Sequence, residues 1–160
     1  MKFDNLVNYI LEGVSGLKLK GIQELTPEQK QKLNSLLDQA DSHPEFSGGG
    51  YVKGEEKDKQ RLVAIIGDEV VGFMTPRFQQ ESGYWRAGAI FIDPEHQGRG
   101  YAAQMLGSFF EDSKHLPARV WISNTNKSSQ GAFSKAGFIK DKEKNLSDDP
   151  NDRGFNWIKT

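Results

Sequence analysis

Ala87-Gly88-Ala89-Ile90-Phe91-Ile92-Asp93-Pro94-Glu95-His96-Gln97-Gly98-Arg99-Gly100-Tyr101-Ala102-Ala103-Gln104-Met105-Leu106-Gly107-Ser108-Phe109-Phe110 is the stretch on which the fold turns. An apolar strand runs into a proline-containing turn. A glycine-rich loop follows, then a segment with Ala102, Met105, Leu106, Phe109 and Phe110 on one helical face. Strand, glycine loop and helix in that order aim several backbone N–H groups, and the positive end of a helix dipole, at one point. Such a point suits a phosphate. The other reading is a tight strand-to-helix turn that binds nothing.

The rest of the chain falls into place around this stretch. Downstream, the helical pattern predicts a helix over 100–115, a strand Ala118–Ser123, and a short helix Ser128–Ala136 closed by Gly137. Two strands, Phe138–Lys142 and Gly154–Lys159, flank an acidic turn. Upstream, Gly83–Ile92 reads as one long strand. Arg61–Ile66 and Val70–Met74 flank Gly67-Asp68-Glu69 as a hairpin. Residues 41–60 hold Pro44, Gly48-Gly49-Gly50 and a charge run, and read as a long loop of the kind that forms substrate lids. Thr26-Pro27-Glu28-Gln29 is a capping box with proline at N1, opening a helix with Leu33, Leu36, Leu37 and Ala40 on its buried stripe. Leu17–Leu25 reads as a short strand. Phe3, Leu6, Val7, Ile10 and Leu11 mark an amphipathic N-terminal helix over 1–12 that Gly13 and Gly16 end. The order is α-β-α-β-β-β-α-β-α-β-β, an antiparallel half before a β-α-β core. The fold class is α/β with a mixed sheet and helices on both faces.

The chain has 160 residues, which favours one domain spanning 1–160. A net charge of −1 argues against nonspecific nucleic-acid or membrane binding. Cysteine is missing, so disulfides, thiolate metal sites and a cysteine nucleophile are excluded. His43, His96 and His115 are scattered without metal-ligand spacing, so no metal is expected. No apolar run approaches the ~18–20 residues of a membrane span. The N-terminus lacks the basic-then-apolar form of a signal peptide, and a cytoplasmic protein is expected.

Gly98-Arg99-Gly100-Tyr101-Ala102-Ala103 matches G-x-G-x-x-A, the dinucleotide fingerprint. That reading wants an acidic residue at the end of the next strand, where Ile122-Ser123-Asn124 stands instead. It also usually opens a fold, whereas here at least three strands are expected first. No P-loop motif is present.

Asp93-Pro94-Glu95-His96-Gln97-Gly98-Arg99-Gly100-Tyr101-Ala102 resembles motif A of the GNAT family, the general-control-related N-acetyltransferases. Gln97, Gly100 and Ala102 meet its R/Q-x-x-G-x-G/A core. Asn126 through Phe138 resembles motif B, with Asn126, Gly137 and Phe138 in register. Ser129 stands where alanine is usual and Phe133 where tyrosine is usual. The resemblance runs from Leu17 to Thr160 and leaves residues 1–16 as an extra N-terminal helix.

The resemblance implies a mostly antiparallel central sheet, a strand that splays at the cofactor site, and acetyl-CoA as the acetyl donor. Ile90, Phe91 and Ile92 occupy the splayed strand that pairs with the pantetheine arm. Gly98, Arg99, Gly100, Tyr101 and Ala102 occupy the pyrophosphate loop, with Gln97 at its start. Arg99 and Lys135 are candidate phosphate partners or solvated charges. Asn126 is a candidate pantetheine partner or a helix N-cap. His96 reads as structural. The implied activity is N-acetyl transfer to a primary amine of a small molecule or protein, by direct attack in a ternary complex, with a small-molecule or peptide amine as acceptor and a monomer or homodimer as the enzyme.

Acyl transfer needs a neutral amine, a donor for the carbonyl oxygen and an acid for the thiolate. A backbone N–H near Ile92 suits the donor. Phe133 has no proton to give, which leaves Ser128, Ser129, Tyr101 or water as the acid. It also leaves a second function open, a catalytically weak acetyl-CoA-binding sensor or interaction module. Arg86 stands where the histone-lysine branch has its glutamate base, and it cannot act as one. Glu81 and Tyr84, near the start of the same strand, are the candidates for proton removal; Glu81 also reads as a plain exposed strand end. Arg86 either holds an acidic group of the acceptor or forms a cross-strand salt bridge. Phe46, Tyr51, Phe78 and Trp85 are candidate acceptor-pocket aromatics. Phe46 and Tyr51 are preferred because they flank the glycine-rich lid.

Overall fold

The computed structural model describes residues 16–43, 52–141 and 154–160. The N-terminal helix expected over 1–12, Phe46, Tyr51 and the acidic turn before Gly154 lie outside the described residues. The chain divides into two compact units. One comprises residues up to Thr75 with Ala89–Gln97; the other comprises Pro76–Gly88 and Gly98–Thr160.

In the first unit, Gly67-Asp68 joins two apolar runs into the expected hairpin of β2 (Leu62–Ile66) and β3 (Glu69–Met74). β1 (Leu17–Gly21) pairs with β2, and β6 (Ile90–Ile92) with β3, so the sheet order is β1-β2-β3-β6 and every pairing is antiparallel. Helix α1 (Pro27–Asp41) opens on the predicted box: Gln29 N–H donates to Thr26 Oγ1 at 3.2 Å, and Thr26 N–H donates to Gln29 Oε1 at 2.9 Å. Leu33, Leu36, Leu37 and Ala40 pack with Val63, Ile65, Val70, Phe73 and Phe91 into one core. Each buried leucine contributes about 2 kcal/mol.

Two expectations are corrected here. The strand read over Leu17–Leu25 stops at Gly21, and Ile22–Glu24 form a 3-10 turn. The stretch read as a loop over 41–60 contains helix α2, Glu55–Gln60. It has acids in its first turn and lysines in its last, which suits the helix dipole without any apolar stripe to reveal it. After α2, Arg61 is buried, donating to Asp58 and to the Val52 carbonyl with its guanidinium 5.4 Å from the Phe73 ring centre.

In the second unit, β4 (Arg77–Gln79), β5 (Tyr84–Arg86), β7 (Ala118–Ser123), β9 (Gly154–Lys159) and β8 (Ile139–Lys140) form a sheet in the order β4-β5-β7-β9-β8. The β5–β7 pairing is parallel and the other three are antiparallel. The long strand expected over Gly83–Ile92 is two strands. Gly88 takes φ +68°, and residues 87–89 separate β5 from β6. β4 has no counterpart in the sequence reading, and of the strand expected over Phe138–Lys142, whose last residue lies outside the described residues, Ile139–Lys140 form β8. Helix α3 is Tyr101–Phe110, not 100–115. The Asp112 carboxylate accepts from Lys114 N–H at 3.0 Å and starts a separate 3-10 turn, Ser113–His115. Helix α4 is Lys127–Lys135. Among the described residues no helix is long and apolar enough to cross a membrane.

Candidate active site

The chain leaves β6 through Asp93-Pro94-Glu95-His96, a 3-10 turn held from inside the first unit. Asp93 N–H donates to the Val71 carbonyl at 2.8 Å. Its side chain, 3% exposed, accepts from Glu95 N–H at 3.2 Å and pairs with Lys32 Nζ at 2.8 Å. His96 Nδ1 lies 3.2 Å from Asp93 Oδ2, and its Nε2 lies 3.3 Å from Glu69 Oε1. Burial pushes the Asp93 carboxyl up, but the Lys32 bond, the Glu95 N–H and His96 outweigh it and hold the group below its usual range. The bond to Asp93 in turn raises Lys32, against the opposing effect of burial. His96 is thus a structural ring. Glu69 as a partner of His96, and Lys32 as a partner of Asp93, have no local sign in the sequence, because each meets this turn only in the folded unit.

Beyond the turn, Gln97 Nε2 donates back to the Ile92 carbonyl at 3.3 Å. Gly98 and Gly100 have φ +80° and +79°, left-handed values that glycine adopts without strain. A Cβ at either position meets nothing within 4 Å, so the loop's outer side is open. Gly100 is the N-cap of α3 and supplies no side-chain cap, and the first turn carries no acidic residue. Those two features leave the positive end of α3 without a carboxylate of its own. Arg99 is exposed on the loop and makes no ion pair among the described residues. The cradle read from the sequence fits a pyrophosphate.

In α4, Asn126 Oδ1 accepts from Ser129 N–H at 3.1 Å, so Asn126 serves as the N-cap. Phe133 is 5% exposed, with its ring centre 5.0 Å from Phe138 in an edge contact. Lys135 is exposed at the last turn of α4. Phe138 also meets Phe110 of α3 at 5.3 Å, which ties the two helices to one aromatic cluster.

At the other end of the sheet, Glu81 is exposed in the turn between β4 and β5. The Arg119 guanidinium sits 4.7 Å from the Tyr84 ring centre. Arg86 Nε donates to Gln79 Oε1 at 2.6 Å. The cross-strand partner of Arg86 is therefore a neutral amide and not the carboxylate that a salt bridge requires. Trp85 is spent on packing, 5.4 Å from Phe109 and 4.8 Å from His115, while Phe78 is 49% exposed. Among the described residues no group of three or more His, Cys, Asp or Glu could hold a metal ion.

Residues 23–138 match the family model described as "Acetyltransferase (GNAT) family". A curated relative is mycothiol acetyltransferase of Amycolatopsis mediterranei (strain U-32), 29% identical over 124 residues; the match covers 76% of this chain and 41% of that protein. The chain thus spans about two fifths of the relative's length. Among solved structures, the chain is similar to a GNAT-family acetyltransferase from Bacillus cereus, with TM-score 0.64, 18% identity, and 90% and 95% of the two chains covered. It is also similar to a Bacillus subtilis acetyltransferase solved in complex with CoA, with TM-score 0.57, 15% identity, and 89% and 95% covered. These likenesses concern the fold.

Proposed function

The chain belongs to the acetyltransferase (GNAT) family, and from that membership we propose that it transfers an acetyl group from acetyl-CoA to a primary amine. The observation that carries the reading is the N-terminus of α3: two left-handed glycines, an open loop and no carboxylate in the first turn. Backbone N–H groups there meet an anion at the positive end of a helix dipole.

In this reading Gly98–Ala102 hold the pyrophosphate, with Arg99 and Lys135 adding charge. Ile90–Ile92, in the last strand of their sheet, run beside the pantetheine arm. Acetyl-CoA supplies a thioester carbonyl for attack. A backbone N–H near Ile92 donates to the carbonyl oxygen as it gains charge. The amine must lose a proton, and Glu81 and Tyr84 are the proposed groups to receive it through water. Ser128, Ser129 or Tyr101 would return one to the departing sulfur, since Phe133 cannot.

A second reading, acetyl-CoA binding without turnover, is favoured by one observation. Phe133 is a buried ring, packed edge-on against Phe138, at the place of the motif B tyrosine.

Calorimetry with acetyl-CoA and CoA, using NADH as control, tests the cofactor. Binding in wild type that is lost in Gly100→Asp with Ala102→Glu is the expected result. An amine screen by CoA release then separates enzyme from sensor. No binding in wild type overturns both readings.

A further inference from the structure

Three arginines occupy directly opposed positions on three neighbouring strands. Arg77 of β4 stands opposite Arg86 of β5, and Arg86 opposite Arg119 of β7. Paired residues project to the same side of a sheet, and neighbouring strands are roughly 4.8 Å apart, so the three share one face. Like charges directly opposed destabilise a sheet. None of the three pairs with a carboxylate among the described residues.

The same face carries donors in want of acceptors. Two positions along β7 from Arg119 comes Trp121, paired in register with Asn156 of β9. Arg119 Nε, Trp121 Nε1 and Asn156 Nδ2 are all buried, and none has a hydrogen-bond partner among the described residues. Asn156 is 2% exposed. A buried donor without a partner costs about 1–3 kcal/mol. Among the described residues, Arg86 and Arg119 touch neutral groups: Gln79 Oε1 on Arg86 and the Tyr84 ring beneath Arg119. Gly154 of β9 is shaped to this arrangement, because a Cβ there would come within 2.5 Å of Trp121 Cζ2. The opposite face is already filled. Trp85 and Ala118, one residue out of phase with Arg86 and Arg119, belong to that face, and Trp85 packs there on Phe109 of α3.

We propose that this arginine face binds an oxyanion, carboxylate or phosphate, carried by the amine that is acetylated. Guanidinium forks match both anions bidentately. A bound oxyanion relieves the repulsion along the row and supplies the acceptors that the face lacks. That the ligand is an acetylated amine rests on the acetyl-transfer reading; the oxyanion site rests on β4, β5, β7 and β9 alone.

The test follows the indole N–H signal of Trp121 by NMR, identified by its loss in Trp121→Phe. Glutarate and inorganic phosphate are titrated separately, with glutaramide as the neutral control. A saturable shift with either anion and none with glutaramide is expected, and which anion acts shows which source the site is built for. Weakening of about tenfold or more is expected in Arg86→Gln with Arg119→Gln, and less in Arg86→Lys with Arg119→Lys. The lysine pair guards against a glutamine pair that fails to fold. Turnover supplies the second arm: glutamate against glutamine amide, and phosphoethanolamine against ethanolamine, the anionic member of a pair favoured about tenfold, chiefly through KM. A shift without turnover on any amine keeps the oxyanion site and removes the acetyl-transfer reading. No shift with either anion overturns the oxyanion site, and equal turnover of charged and neutral amines overturns its assignment to the acceptor; neither result bears against acetyl transfer.

Discussion

A carboxylate with 3% of its side chain exposed persists only where its lone pairs are answered, and Asp93 has Lys32, Glu95 N–H and His96 around it. Asp93→Asn removes the charge that Lys32 faces. Lys32 keeps 35% of its side chain in water, so the loss is expected at about 1–3 kcal/mol, below that of a fully buried pair. Urea unfolding at pH 7 measures it. The pH dependence has a definite sign. The folded carboxyl titrates below its unfolded value of about 3.9, so its contribution is complete above that value and disappears as pH falls through the depressed one. Asp93→Asn is therefore expected to flatten part of the acid limb of stability against pH, and an unchanged limb refutes the assignment. Such a network was not legible in sequence. His96 read as structural, but a lysine 61 positions earlier gives no local sign that it closes on Asp93. Gly98 and Gly100 were legible, because strand, turn and helix patterns on either side leave them few other roles.

Elements were legible where local chemistry decides them. The Thr26–Gln29 box, the Gly67-Asp68 turn and the Gly137 stop each act within a few residues, and each lies where it was read. Thr26→Ala removes the acceptor for Gln29 N–H and is expected to cost about 1 kcal/mol, or some 2–4 °C in Tm, by calorimetric scanning. What failed was decided across the sheet. Gly83–Ile92 is apolar enough to read as one strand, yet Tyr84–Arg86 pairs with β4 and β7 while Ile90–Ile92 pairs with β3. Ladder partners make that choice, and no period in the segment announces it. Helix α2 failed for the opposite reason. Its six residues are wholly polar, so there is no stripe for a periodicity argument to find. Helix α4 carries the sharpest question at this scale. Phe133→Tyr adds a phenol beside Phe138 in the position where motif B has its proton donor. If protonation of the thiolate limits turnover, kcat is expected to rise by up to about tenfold, the low end of general-acid contributions being discounted for a buried site. CoA-release kinetics at saturating acetyl-CoA checks it, and an unchanged kcat assigns the proton to water or another residue.

On the scale of the whole molecule, a chain with net charge −1 gives no compositional hint of either positive feature it carries, the open α3 terminus and the row of Arg77, Arg86 and Arg119. Both arise from arrangement. Only the first has a sequence motif; in the second, Arg86 alone stands out in the sequence, and its alignment with Arg77 and Arg119 comes from the strand register. The acetyl-CoA reading also makes a thermodynamic claim on the whole chain. A ligand that binds the native state alone stabilises it by RT ln(1 + [L]/Kd), about 2.7 kcal/mol at a hundred times Kd. For a chain of this length that is roughly 5–10 °C in Tm. Acetyl-CoA at that excess is expected to raise Tm by this amount in wild type, with CoA close behind and NADH without effect. Gly100→Asp puts a carboxylate at the helix terminus and a side chain on a φ of +79°, so it is expected to lower Tm by itself and to abolish the ligand-induced rise. Wild type must be scanned beside it, because a destabilised variant that still gains the full rise would show that the loop is only a turn. A rise with NADH equal to that with acetyl-CoA would return the glycine loop to the dinucleotide reading that its G-x-G-x-x-A pattern first allowed.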